Sequence, residues 1–327
     1  MLFRSGTSSI TITFFQACLA TLLVDAALLA CGFPAPLSLT LGAIAAATAP
    51  AATLMVVRQY HAKGEVTSTL LPVVAMDDAV GLMLFSISLP ISQALASNAA
   101  LTVTSMLLQP LLEIVLSLAV GAGIGLLIAL AMRFFHSKVN RISVAVAAVL
   151  LGSALASIWN LSSLLLCMAI GAVLVNLRKD ADELLEITDA WTPPLFMLFF
   201  VLSGAELDLA VVPTVGLLGV VYMVARSLGK YFGSFLGATI AKSSPNIRKY
   251  LGLTLLPQAG VAIGMAQVAL NALPEYGTQI QAVVLTATLI YELIGPVITK
   301  LALTAAGEIQ DSKKSKAKTE QNAGGAK

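Results

Sequence analysis

Residues 39–57 read LTLGAIAAATAPAATLMVV, an uncharged run with Pro50 near its middle. A helix needs about 20 apolar residues to cross a hydrocarbon core about 30 Å thick, so this run has the length of a membrane span. Proline removes an amide hydrogen, and its ring collides with the preceding turn. The span is therefore interrupted at mid-depth. Irregular backbone inside a bilayer survives only where protein buries it or it lines a water-filled cavity. Residues 250–270, YLGLTLLPQAGVAIGMAQVAL, repeat the pattern with Pro257 and Gly260 near the middle. Either run alone reads equally well as a kinked helix. What decides is where the two sit in the chain.

Ten segments qualify or nearly qualify as spans: 9–31, 35–57, 66–93, 105–132, 142–158, 161–177, 192–205, 212–240, 247–270 and 279–303. The segment 192–205 is short and opens on a strained Thr192-Pro193-Pro194. Of the 327 residues, 58% are hydrophobic and 11% charged, against about 25% charged in soluble domains. A soluble enzyme, a disordered chain and a nucleic-acid binder are excluded. Cys18, Cys31 and Cys167 lack the spacing of a disulfide framework or zinc site. His61 and His136 fall in polar loops. Residues 308–327 are polar and of low complexity, which predicts a disordered cytoplasmic tail. The first segment is too long for a cleavable signal peptide and lacks a small-residue cleavage site.

Lysine and arginine fix the orientation. Arg4, Arg58, Lys63, Arg133, Lys138, Arg141, Arg178, Lys179, Lys242, Arg248, Lys249, Lys300 and the tail lysines all fall on one side if all ten segments span. The opposite loops hold none. Only Arg226 and Lys230, of 19 basic residues, lie inside a segment. Both termini are then cytoplasmic. With ten spans, the triplet 9–93 starts outward and the triplet 212–303 starts inward, and each has an interrupted central helix. Such an inverted repeat marks secondary transporters with a midplane ion site. Asp25 precedes Pro50 by 25 residues, and Lys230 precedes Pro257 by 27, in keeping with the inversion.

Ionisable residues at membrane depth are functional candidates. Asp77 and Asp78, in VVAMDDAVGL (73–82), lie about 16 Å up their helix, near the midplane. Neighbouring side chains on a helix diverge by about 100°. One carboxylate can then face the gap between the broken helices while the other pairs with a cation. Desolvation and a nearby cation push a carboxyl's proton affinity in opposite directions, and a carboxylate balanced between them is one for which protons and metal cations compete. The uncharged residues before the pair oppose a helix-cap reading. Arg226 and Lys230, at i and i+4, share a face. Lys230 is the titratable partner of the two, with snorkelling to the cytoplasm as its alternative. Glu292 is placed to offset a half-helix dipole or to pair with Arg226. Glu113 reads as an interfacial carboxylate, and Asp25 as either vestibule or interface.

Seven stretches in order resemble a known pattern: Ala47-Thr48-Ala49-Pro50-Ala51, Arg58 to Gly64, Val74-Ala75-Met76-Asp77-Asp78, Leu161 to Asn176, Phe199 to Leu209, Pro257-Gln258-Ala259-Gly260 and Glu292-Leu293-Ile294-Gly295-Pro296. They resemble the sodium/proton exchanger superfamily, in its bacterial monovalent cation:proton antiporter-2 branch, across most of residues 10–308. The resemblance implies an all-α polytopic fold of about ten transmembrane helices, an inverted repeat with two crossed discontinuous helices. It implies a transmembrane domain over 1–307, with core helices 9–93 and 212–303 and scaffold or dimer helices 105–205. It implies exchange of Na+ (or Li+ or K+) for protons by alternating access, with Asp78 binding the ion and the proton, Asp77 beside it, and Thr48 and the broken backbone lining the site. Asp77 would pair with Lys230, an arrangement that goes with electrogenic exchange in this superfamily. It further implies no enzymatic activity, no cofactor, a homodimer in the cell (inner) membrane and no nucleic-acid partner.

Two departures stand out. Ala49 replaces the polar residue usual before the proline. Members usually carry further N-terminal spans that build part of their dimer interface, and this chain begins where their third or fourth would begin. Two other readings remain open: a sodium-coupled organic-anion symporter of similar fold, and a truncated homologue that does not transport. An intramembrane protease would need a membrane histidine or a Gly-x-Gly-Asp motif, and neither occurs.

Overall fold

The computed structural model describes residues 6–97, 109–135, 137–159, 161–178, 180–181, 183–188, 194–195, 197–198, 201 and 216–309. Among them every regular element is a helix: α1 (Gly6–Ala30), α2 (Ala35–Ala45), α3 (Pro50–Gln59), α4 (Glu65–Ala96), α5 (Gln109–Ala131), α6 (Lys138–Trp159), α7 (Ser163–Leu177), α8 (Gly216–Ile240), α9 (Pro245–Tyr250) with a 3-10 continuation Leu251–Leu255, α10 (Gly260–Ala272) and α11 (Gly277–Ala305). Five of these, α1, α4, α5, α6 and α11, are long and apolar enough to span. A sixth span forms if α9, its 3-10 turn and α10 count as one helix bent by 49°. The other predicted spans fall outside that length-and-composition count for physical reasons. The span 35–57 is split into α2 and α3. α7 is a short apolar helix. α8 carries Arg226 and Lys230 together with a row of glycines. Most of 192–205, and all of the Phe199–Leu209 stretch except Val201, lie outside the described residues. So do residues 310–327 of the expected tail.

The chain divides into two compact units, Met1–Gly81 with Leu209–Lys327, and Leu82–Asp208, the boundary falling inside α4. The first unit is organised by the packing of α8 on α1. Gly229, Gly233 and Gly237 recur every four residues and form one stripe on α8. A Cβ on Gly229 would lie 2.5 Å from Ala20 Cα, one on Gly233 2.6 Å from Gln16 Cα, and one on Gly237 2.8 Å from Ile12 Cα. Without a hydrophobic force between helices in lipid, such close backbone approach is the main source of association. Towards one end of this unit Ile12, Val56, Val66, Leu70, Val73, Ala238, Leu251 and Leu303 form a shared core.

The second unit packs α5 against α7, with Ile124, Ile128, Leu166 and Ile170 at the centre. Arg141, at the start of α6, reaches Asp180 at 3.0 Å and Glu183 at 2.6 Å beyond the end of α7. Arg178 also bonds Asp180, and that hydrogen bond holds its carboxyl below the usual carboxylate range.

The glycine stripe makes a graded prediction. Gly233→Ala runs into backbone that cannot step aside and should cost about 1–3 kcal/mol. Gly219→Ala, on the same helix with no atom within 4 Å, should be neutral or gain up to about 1 kcal/mol. Thermal unfolding of the two variants in detergent checks this, and equal melting temperatures would refute the packing account.

Candidate ion-binding site

A helix leaves its last four carbonyls without intrahelical donors, and in lipid no water supplies them. Both interrupted helices end in this way. α2 stops at Ala45 because its last turn tightens, with Ala46 N–H donating to Ala43 O and Ala47 N–H to Ile44 O. Pro50 then opens α3. The 3-10 turn after α9 stops before Pro257, and Gly260 opens α10.

Eight carbonyls in two runs thereby lose their regular α-helical partners, and each accepts from a donor outside its own run. On the first run Ile44 O accepts from Gln258 Nε2 at 3.2 Å. Ala45 O and Ala47 O accept from Arg226 Nε at 3.1 Å and Nη2 at 2.7 Å. Ala46 O accepts from Lys230 Nζ. On the second run Thr254 O accepts from Thr53 Oγ1 at 3.1 Å, Leu255 O from Thr48 Oγ1 at 3.3 Å, Leu256 O from Arg226 Nη1 at 2.7 Å and Pro257 O from Ala49 N–H at 2.8 Å. The two breaks therefore meet and satisfy each other. Arg226 bonds both runs. Its guanidinium also lies 4.6 Å from the centre of the Tyr291 ring. The negative ends of two half-helices face two cations, the favourable sense of the helix dipole.

Lys230 is fully buried and does not snorkel. Its ammonium bonds Ala46 O and, at 3.0 Å, Asp77 Oδ2. Asp77 is equally buried, and its Oδ1 accepts from Gln16 Nε2. Both oxygens of Asp77 are thus held. Asp78, the next residue, is half-buried, and its Oδ1 is shut off from solvent without any hydrogen-bond partner.

Sequence reasoning missed Gln16. Depth alone was the available signal. Gln16 lies about 15 Å along α1 from Gly6, Asp77 about 18 Å along α4 from Glu65, and Lys230 about 15 Å from the last residue of α8. A lone amide in an apolar helix at the depth of a charged pair has a partner there. In the sequence Gln258 stands out only as part of the Pro257-Gln258-Ala259-Gly260 stretch. It bridges Ile44 O and the Tyr222 hydroxyl, 2.8 Å away.

Other expectations land elsewhere. Glu292 does not approach Arg226. It lies on an exposed face of α11, and its neighbour Tyr291, rotated about 100° around the helix, covers the guanidinium instead. All three guanidinium nitrogens donate to carbonyls of the two breaks. Thr48 is buried and its hydroxyl donates to Leu255 O across the breaks. Gly295 lies against Pro257, where an added Cβ would come within 2.8 Å of the ring. Asp25 rests its carboxyl over Gly42 of α2, with Oδ1 buried and unpartnered. Glu113 is half-buried on α5.

Two interrupted helices that meet at their breaks, inverted in the chain, with buried cations and a carboxylate pair at one depth, define an ion-coupled secondary transporter. A family model described as the transmembrane sodium/hydrogen exchanger matches residues 1–305. The chain belongs to that family, a family of multi-pass membrane proteins that exchange cations for protons. Among solved structures, the fold is similar to that of the sodium proton antiporter MjNhaP1 from Methanocaldococcus jannaschii at pH 8, with 21% identity and a TM-score of 0.68 over 92% of this chain and 80% of that one. Comparison with curated proteins finds no match.

Arg226→Met would strand three buried carbonyls, at about 1–3 kcal/mol each. We expect a loss of at least about 3 kcal/mol and little monodisperse protein, with Arg226→Lys intermediate because an ammonium cannot span both breaks. Size-exclusion profiles and melting temperatures in detergent read the effect. A parent-like Arg226→Met would refute the carbonyl account.

Proposed function

We propose that this chain exchanges a monovalent cation, Na+ or alternatively Li+ or K+, for protons by alternating access, and that Asp78 carries both ions in turn. The observation that carries this reading is the contrast between adjacent carboxylates. Asp77 has Lys230 on one oxygen and Gln16 on the other. Asp78 has a buried oxygen that nothing satisfies. A desolvated carboxylate without a partner is costly, and either a proton or a cation relieves that cost. Occupancy by one excludes the other, which is the coupling an antiporter needs. Asp77 and Lys230 hold the site's geometry, and the released backbone around Thr48 supplies further oxygen ligands.

The orientation follows the basic loops, with both termini cytoplasmic. Support comes from which loops touch. Ser8 bonds Ser243 at 2.9 Å, Lys300 lies 4.5 Å from the centre of the Tyr60 ring, and Arg141 pairs with Asp180. Each contact joins segments assigned to the same side. The protein works in the cell membrane as a homodimer in this reading, with no cofactor besides the transported ions.

Everted vesicles carrying a proton gradient test the exchange. Addition of Na+, Li+ or K+ should collapse the gradient with the parent, and Asp78→Asn should abolish the response at unchanged protein level. Collapse by Asp78→Asn equal to the parent would move the carrier elsewhere. Asp77→Asn and Lys230→Met each leave a buried charge without its counter-ion, a loss of about 3–5 kcal/mol, so both should lower the melting temperature where Asp78→Asn does not.

A further inference from the structure

We propose that Glu308 positions the helix that bears Asp77 and Asp78, by acting as the N-terminal cap of α4 from the opposite end of the described chain. The inference rests on the exchange reading for its functional part. α4 begins at Glu65, so the cap position is Gly64. Cap residues are normally Ser, Thr, Asp or Asn, whose side-chain oxygen accepts from the second and third helical N–H groups. Gly64 has no side chain to do so. Glu308 does it instead: Oε1 accepts from Val66 N–H at 2.6 Å, and Oε2 accepts from Thr67 N–H at 2.8 Å and from Thr67 Oγ1 at 2.7 Å. These are the two amides that a local cap would have served. The backbone joins in, with Lys63 N–H donating to Glu308 O at 3.0 Å.

Both partners are shaped for this contact. A Cβ on Gly64 would overlap the Glu308 side chain. On the other side α11 ends in a Schellman turn. Gly307, at φ +77°, takes the left-handed conformation, with Gly307 N–H on Thr304 O and Glu308 N–H on Leu303 O, both at 3.0 Å. That turn directs Glu308 onto α4. The contact is anchored around it by Lys300 over Tyr60 and by Ile309, which packs on the core formed by Ala62, Val66 and Leu70. Glu308 is 7% exposed, so a charged residue expected at the start of a disordered tail is instead part of the core. A carboxylate at a helix N-terminus also has the favourable dipole sense. The consequence for transport is axial. The end of the second repeat sets the starting point of α4, and the carboxylate pair sits a fixed rise of about 18 Å above it.

The test compares the parent, Glu308→Ala, Gly64→Asp and the double variant in everted vesicles, with exchange normalised to inserted protein. Glu308→Ala should reduce exchange at limiting cation about fivefold, the usual worth of a cap. Gly64→Asp should be harmful alone, because it meets Glu308. In the Glu308→Ala background the same change should restore exchange to within about twofold, since it supplies the cap locally. That reversal of sign is the signature of two groups competing for one place. Full normalised exchange by Glu308→Ala overturns the positioning role. Failure of the double variant to recover overturns the cap. If Glu308→Ala does not accumulate, accumulation of the double variant is itself the rescue, and failure of both overturns the cap. If the parent exchanges nothing, the exchange reading and the positioning role fall together. The melting temperatures of the four proteins in detergent then decide the cap alone, by the presence or absence of the same reversal.

Discussion

Two runs of four carbonyls, 44–47 and 254–257, end inside a medium that offers them no hydrogen. That constraint organises the first unit. A helix broken in water would be solvated at no cost to the fold. Here each break needs donors, and the cheapest donors are those of the other break and of the one helix that passes both. Arg226 bonds three of the eight carbonyls because a guanidinium presents several N–H groups in a fixed plane. Lys230 bonds one and still reaches Asp77. For α8 to place both cations at the breaks, α1 must lie against it at backbone distance, which the glycine stripe permits. The site is thus a by-product of satisfying the backbone, and its geometry is as rigid as those bonds.

The same constraint explains why the adjacent carboxylates differ. Asp77 faces the cations and is absorbed into the carbonyl network through Lys230 and Gln16. Asp78, one residue on and turned about 100° away, cannot reach that network. Its unsatisfied oxygen lies beside that network, and in the proposed exchange its compensation is left to an ion that comes and goes. In the proposed reading, a fold that satisfied both carboxylates would leave no carboxylate free to exchange ions.

Much of this was legible in the sequence because the signals were one-dimensional. Proline in an apolar run marks a break, and basic residues alternate by loop whatever the tertiary packing. Adjacent aspartates at a counted depth mark the midplane. The residues that escaped were those whose role depends on rotation about a helix axis. Glu292 was a candidate partner of Arg226 by depth and charge, yet Tyr291 occupies that direction. Gln16 has the right depth but no charge to draw notice. Glu308 reads as the first residue of a polar tail, and only the turn at Gly307 and the bare cap position at Gly64, more than two hundred residues away in the chain, show that it belongs to α4. Pairings between ends of a chain leave no periodicity to read.

Four buried or half-buried charges meet at the site: Arg226 and Lys230 positive, Asp77 and Asp78 negative. In the proposed exchange an empty site is then neutral, and either a proton or a monovalent cation on Asp78 would make it positive by one. If Asp78 alone changed partners, one cation would be traded for one proton and the membrane potential would do no work. Electrogenic exchange would require a second proton, and in the proposed site the Lys230 ammonium beside Asp77 is a candidate to carry it. That pair is tied to Ala46 O and Gln16 as well, so a proton change there alters the bonding at the break of α2 itself. Each net charge moved would then contribute about 2.3 kcal/mol per 100 mV. The residues that satisfy the broken backbone would in that case also set how strongly the exchanger responds to voltage.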